Sequence, residues 1–166
     1  MERTKAIILA AGKGSRLQCE KDEIPKALRR VGGKALIDHV LSGIDFVRPE
    51  DITIVIGVMG EKIQAYLGDK YHYVWQHEQK GTAHAMLCAE EANRGFDGPV
   101  LCLYCDMPLL SRSTYLRMVE EHLKHQAKNT LLAARIDPPP AFGRLIRDET
   151  GELVDIVEQS ACTPQQ

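Results

Sequence analysis

Near its start the chain reads Ala6-Ile7-Ile8-Leu9-Ala10-Ala11-Gly12-Lys13-Gly14-Ser15-Arg16-Leu17. An unbroken apolar run, Ala6 to Ala11, passes straight into two glycines. A strand with one wet face alternates polar and apolar side chains. A strand covered on both faces, as in a parallel sheet, reads as a continuous apolar run. The glycines then let the backbone approach a ligand closely and turn its N–H groups inward, as a nest for phosphate oxygens requires. Buried strand, glycine loop and following helix are the opening unit of an α/β fold.

Outward from this unit the same signal recurs. Ile52 to Ile56 is closed by Gly57, Tyr71 to Trp75 is a third run, Val100 to Tyr104 follows Gly98-Pro99, and Thr130 to Ile136 is a fifth. Helical spacing fills the gaps. Leu36, Ile37, Val40, Leu41 and Ile44 form one apolar face, and Ile63, Ala65, Tyr66 and Leu67 a short one before Gly68. Thr82 is expected to cap a helix from Ala83 to about Asn93, and Ser113 or Thr114 another with Leu116, Val119 and Leu123 inward. After Pro138-Pro139-Pro140 the style changes. Gly143 to Arg147, a polar turn over 148–151 and Leu153 to Glu158 predict a β-hairpin. Strands alternating with helices imply right-handed crossovers. The expected fold is therefore a Rossmann-like three-layer α/β/α sandwich with a mainly parallel sheet and a C-terminal β-hairpin.

The 166 residues suit one domain, residues 1–166, with an ordinary globular composition of 44% hydrophobic and 27% charged residues. A net charge of −2 without a basic stripe argues against a nucleic acid as partner. Any anionic ligand is then small and held by a few placed groups. No apolar run is long enough for a signal-peptide core or a membrane span. Five scattered cysteines argue against a disulfide framework and for a reducing compartment, so the cytoplasm is the expectation. A homo-oligomer is left open.

Four clusters could carry chemistry. The first is the glycine loop, where Arg16 can add a two-pronged, permanently charged contact. Its spacing is not that of a Walker loop, and it lacks the third glycine of the dinucleotide fingerprint. The second is Pro25-Lys26, where the proline stiffens the backbone ahead of a compact cation that would sit near a phosphoryl group. Taken alone, Lys26 reads as a surface lysine. The third runs from Gln76 to Met86. Gln76 offers donor and acceptor for a base edge, Gly81 allows close approach of a flat ring, and Thr82 adds a hydroxyl. The bland reading is a polar loop and a helix cap. The fourth, Tyr104-Cys105-Asp106-Met107-Pro108-Leu109, places an acid just past a strand, where a carboxylate and substrate phosphates together can hold Mg²⁺. Cys102 and Cys105 make a C-x-x-C, but three residues apart on a strand their thiols face opposite ways and no second pair exists. His122 and His125 read as helix surface.

Together these motifs, with Phe142-Gly143-Arg144 and Ile156-Val157-Glu158, resemble the uridylyltransferase domain of bacterial bifunctional N-acetylglucosamine-1-phosphate uridylyltransferases, of the wider sugar nucleotidyltransferase superfamily. The resemblance runs from about Lys5 to Thr163. The first two clusters mark only the superfamily, whereas Gly81-Thr82-Ala83-His84-Ala85 narrows it to this branch. It implies a nucleotide-diphospho-sugar transferase fold, with UTP and N-acetylglucosamine-1-phosphate as partners and Mg²⁺ as cofactor. Leu9, Ala10, Ala11, Gly12 and Gly14 would contact the nucleotide, and Gln76, Gly81 and Thr82 would read the uracil. Arg16 and Lys26 would be catalytic cations, Asp106 would ligate the metal, and Gly143 and Glu158 would bind the sugar.

The chain departs from the family's pattern at four places. Cys105 stands where glycine is usual, Ala83 replaces a second glycine, and the segment 18–24 is longer than usual. The family's domain continues past the position of Gln166 with an asparagine for the sugar and a second metal ligand, so the expectation is a transferase domain truncated at its C-terminus. No hexapeptide repeat is present, so no β-helix acetyltransferase domain is expected. Other acceptors or bases, a cofactor precursor such as molybdopterin, and a non-catalytic nucleotide-binding module all stay open on sequence grounds.

Overall fold

The computed structural model describes residues 2–14, 19–137 and 142–163. They fall into two compact units, Met1–Thr130 and Leu131–Gln166, each described by itself. In the first unit the order is β1 Lys5–Leu9, α1 Cys19–Asp22, β2 Arg30–Val31, β3 Lys34–Ala35, α2 Leu36–Gly43, β4 Ile52–Ile56, α3 Gly60–Leu67, β5 His72–Trp75, α4 Thr82–Cys88, α5 Glu90–Asn93, β6 Val100–Tyr104 and α6 Arg112–Lys124. β2 and β3 form a small antiparallel ribbon.

The central sheet is parallel, ordered β5-β4-β1-β6. Ile8 lies opposite both Ile54 and Leu103, so the residue period of two sends whole sets of side chains to one face. Ala6, Ile8, Ile54, Ile56, Leu101 and Leu103 share a buried cluster with Ile37 and Val40 of α2, Ile63 of α3 and Tyr115 and Val119 of α6. On the other face Ile7, Leu9, Ala11 and Val55 pack with Ala85 of α4 and with Ala89. Helices thus cover the sheet from both sides, which is why β1 and β4 read as unbroken apolar runs. Each fully buried isoleucine contributes on the order of 2 kcal/mol.

The chain builds outward from β1 through β4 to β5, then returns to place β6 on the other flank of β1. Strand order reverses there. A cleft opens beyond the carboxyl ends of β1 and β6.

Four local expectations are corrected. The run from Thr130 to Ile136 forms no strand, and Leu131, Leu132 and Ile136 are about half exposed. An apolar run becomes a strand only where a ladder partner takes up its backbone groups. The expected helix over 83–93 is two helices, because Ala89 leaves helical geometry with its N–H bonded to the Met86 carbonyl at 3.0 Å. Thr82 is its first residue rather than its cap; Gly81, at φ 93°, holds the cap position without a side-chain bond. For α6 the cap is Ser111, whose hydroxyl accepts from the Thr114 N–H at 3.2 Å, and Tyr115 and Val119 are its buried residues.

In the second unit β7 Arg144–Arg147 and β8 Leu153–Val157 pair antiparallel, as the pattern predicts. Asp148 shapes the turn by accepting from the Thr150 and Glu152 N–H groups at 2.9 and 3.0 Å. Gly151 supplies a φ of 89°.

Candidate active site

The crevice at the strand-order reversal is a cleft lined by the β1 exit (Leu9, Ala11, Gly12), by Lys26, by the β5–α4 connection and α4 (Gln76, Gln79, Gly81, Thr82, Ala85), and by Tyr104, Cys105 and Asp106 beyond β6. Four segments far apart in sequence therefore converge at one sheet edge. A broader and more open hollow beside α2 and α3 is lined by Lys34, Asp38 and Lys70 among others, and none of the four motif clusters reaches it. The cleft is the better site because residues of all four motif clusters converge on it beyond the carboxyl ends of the strands.

Local structure explains each placement. Ala10 N–H still bonds the Val55 carbonyl at 2.8 Å and Cys105 N–H the Leu9 carbonyl at 3.2 Å, so both loops leave the sheet from fixed points. At Gly12 an added Cβ would meet no protein atom within 4 Å, so the glycine leaves room over the cleft. At Gly57 it would fall 2.7 Å from the Ala11 carbonyl oxygen, so the end of β4 must be glycine for the β1 exit to pass. Gly14 has φ 64°. Arg16 lies outside the described residues.

Pro25 opens a single 3₁₀ turn, Lys26–Leu28, in extended geometry (φ −59°, ψ 145°). Ala27 is buried in the core beneath it, and the Leu36 N–H bonds the Arg29 carbonyl at 2.8 Å. The turn is thus anchored on both sides and aims Lys26 at the cleft. There the Lys26 ammonium pairs with the Asp106 carboxylate, eighty residues away. Both side chains keep about a third of their surface open to solvent. Lys26 and Asp106 therefore line the same cleft.

Gln76 is 3% exposed. Its backbone N–H continues the ladder to the Ile56 carbonyl at 2.8 Å. Its side-chain amide donates to the Gly81 carbonyl at 3.1 Å and to His84 Nδ1 at 3.0 Å. Gln79 and His84 were not singled out from the sequence. His84 had a signal available: it stands two residues after Thr82 on the first turn of α4, the face that turns back toward Gln76.

Cys102 and Cys105 point to opposite faces, the first toward Met86 and the second, 5% exposed, into the core cluster. His125 lies on the outside of α6 against Glu121. Gly143 and Glu158 belong to the second unit, next to the Arg144–Val157 pair at the open end of the hairpin.

Among the described residues no three His, Cys, Asp or Glu side chains gather to cage a metal. Mg²⁺ does not need such a cage, since it keeps waters and shares one or two carboxylates with phosphate oxygens. A part-exposed Asp106 that lines the same cleft as Gly12 fits that donor set.

Residues 6–160 match the model of the MobA-like NTP transferase domain. The chain belongs to the MobA-like NTP transferase family. Curated relatives of this MobA-like domain include the bifunctional protein GlmU of Clostridium novyi, 41% identical over 162 residues, and that of Enterococcus faecalis, 37% identical over 166. These alignments cover 97% and 100% of the chain but 35% and 36% of the relatives, so the chain spans about a third of their length. A solved Bacillus anthracis structure, assigned as a glucose-1-phosphate thymidylyltransferase and holding sucrose, aligns with a TM-score of 0.73 at 23% identity. That alignment covers 98% of this chain and 65% of that one. At that identity the likeness bears on the fold, and it confirms the mainly parallel sheet flanked by helices. No helix of the described residues is long and apolar enough to cross a membrane.

Proposed function

We propose that this MobA-like domain transfers UMP from UTP to N-acetylglucosamine-1-phosphate, giving UDP-N-acetylglucosamine and pyrophosphate. One observation carries the reading: a cation and a carboxylate from distant segments meet in a cleft that glycines also line, at the reversal of strand order. The GlmU-type relatives support the choice of substrates.

Two polyanions must be brought together, so charge neutralisation and positioning are the main tasks. The loop from Leu9 and Ala10 through Ala11, Gly12 and Gly14 lies along the triphosphate with its N–H groups turned to the phosphate oxygens. Lys26 exchanges its partner Asp106 for the phosphates and stabilises charge that develops during transfer. Arg16 is the second cation of this reading. Gln76, Gly81 and Thr82 hold the uracil, and Gly143 and Glu158 hold the sugar. An oxygen of the sugar phosphate attacks the α-phosphorus in line. The bond from that phosphorus to the oxygen bridging toward the β-phosphate breaks, and pyrophosphate leaves with the electron pair. The attacking phosphate is already ionised at neutral pH, so no general base is needed. Asp106 would hold a Mg²⁺ ion, whose chemistry when bound is to neutralise phosphate charge and act as a Lewis acid.

The test is a pyrophosphate-release assay with each of UTP, CTP, ATP, GTP and dTTP against N-acetylglucosamine-1-phosphate and other sugar phosphates. Release that requires UTP and N-acetylglucosamine-1-phosphate supports the proposal. A different productive pair replaces the substrates while keeping the reaction. UTP binding without release under any acceptor replaces transfer with nucleotide binding alone.

A further inference from the structure

We infer that His84 is a specificity-determining residue that acts through Gln76, fixing which end of the Gln76 amide faces the nucleotide base. The inference rests on the reading of Gln76 as the base contact.

A glutamine amide can present either its oxygen or its NH₂ group, and the two give opposite base preferences. The surroundings of Gln76 decide between them. The Gly81 carbonyl, 3.1 Å from Nε2, can only accept, so it demands the NH₂ end. His84 Nδ1, 3.0 Å from the same nitrogen, must then accept as well, which sets its imidazole in the tautomer carrying hydrogen on Nε2. Both amide hydrogens are thereby consumed. Among the described residues nothing donates to Oε1, and it is not among the fully buried atoms lacking a partner. Gln76 lines the cleft, so the atom left for a ligand is an acceptor.

An acceptor in that place selects a base whose ring nitrogen carries hydrogen. Uracil and thymine offer N3–H, whereas cytosine presents a bare N3 that would face oxygen lone pair to lone pair. Two bonds are needed for this. With the Gly81 carbonyl alone, one amide hydrogen of a residue 3% exposed would have no partner, and a buried donor without a partner is costly enough to turn the side chain. His84 supplies the second acceptor from the first turn of α4, and Gly81, with φ 93°, bends the chain so that both acceptors reach one nitrogen.

Equilibrium binding of UTP and of CTP, measured by calorimetry with Mg²⁺ and no acceptor, tests this in four proteins: wild type, His84→Leu, His84→Asn and Gln76→Ala. His84→Leu keeps bulk without the acceptor, and His84→Asn restores an acceptor oxygen near the Nδ1 position. We expect His84→Leu to lower the UTP-over-CTP preference about tenfold, mainly by weakening UTP, and His84→Asn to recover most of it. In the wild type, ¹⁵N NMR should find His84 Nδ1 without hydrogen. Retention of the preference in His84→Leu, or equal loss in His84→Asn, overturns the positioning role. Gln76→Ala separates the two levels. If it loses the preference while His84→Leu keeps it, only the role of His84 fails. If Gln76→Ala keeps it, the base reading itself fails.

Discussion

Lys26 and Asp106 hold each other across the cleft while each stays about a third exposed. A part-exposed pair of this kind contributes little to folding. On the proposed function its residues change partners when phosphates arrive, and their substitution should therefore show in turnover rather than in stability. We expect Asp106→Ala to lower metal-dependent pyrophosphate release by two orders of magnitude or more, with the thermal midpoint nearly unchanged. Full release in that variant would remove the metal assignment. Lys26→Ala is expected to reduce kcat by about a hundredfold and to change the KM for UTP much less, since its charge matters most in the transition state. A rise in KM at constant kcat would make Lys26 a binding group only. In the sequence Lys26 looks like any surface lysine. What sets it apart is the buried Ala27 and the 3₁₀ turn, and neither leaves a mark in composition or periodicity.

The elements divide into those whose cause is local and those that needed a partner. β1, β4 and β6 were legible because a strand between layers must be apolar throughout or on alternate residues, and because the topology placed the glycine loop and Asp106 at the same edge. The C-terminal hairpin was legible from its polar turn. The run Thr130–Ile136 reads as a strand and is not one, because pairing is not a property of the run itself. The cap of α6 lies two or three residues before the one the sequence suggests, because Ser111, Ser113 and Thr114 are all chemically fit and only the backbone decides. The break at Ala89 carries no sequence signal, alanine being the best helix former. Gly57 belongs to this scale too. Without a Cβ it lets the β4 exit lie against the β1 exit, whereas an added Cβ would fall 2.7 Å from the Ala11 carbonyl oxygen. Gly57→Ala should cost about 1 to 3 kcal/mol in denaturant unfolding and weaken UTP binding together, because the shift falls on the loop proposed to hold the phosphates. Stability and affinity both unchanged would show that the loop gives way freely.

For the first unit as a whole, the clearest electrostatic tie lies away from the cleft. The Asp51 carboxylate, 2% exposed, takes hydrogen bonds from Arg3 at 2.6 Å and from Arg48 at 2.8 Å, fastening the segment before β1 to the turn before β4. The Arg3 bonds first, then those of Arg48, hold this carboxyl at about 2, against an ordinary value near 3.8. A carboxyl held low in the folded state stabilises the protein fully above about pH 4, and that contribution is lost as pH falls through about 2. Asp51→Asn should lower unfolding stability by about 1 to 3 kcal/mol at pH 7, and the gap from wild type should close between about pH 4 and pH 2. A constant gap across that range would mean that packing, not charge, is what Asp51 supplies. The sequence showed the Arg3, Arg48 and Asp51 side chains but not their meeting, which depends on the parallel register of β1 and β4.

The central claim is spatial: triphosphate and metal gather where β1 and β6 end. A crystal grown with UTP and Mn²⁺, with the ion located by its anomalous signal, tests it most directly. The account expects a manganese peak bound by Asp106, Lys26 released onto phosphate, and the base beside Gln76. Nucleotide lodged in the hollow by α2 and α3, or a manganese peak away from Asp106, would contradict it.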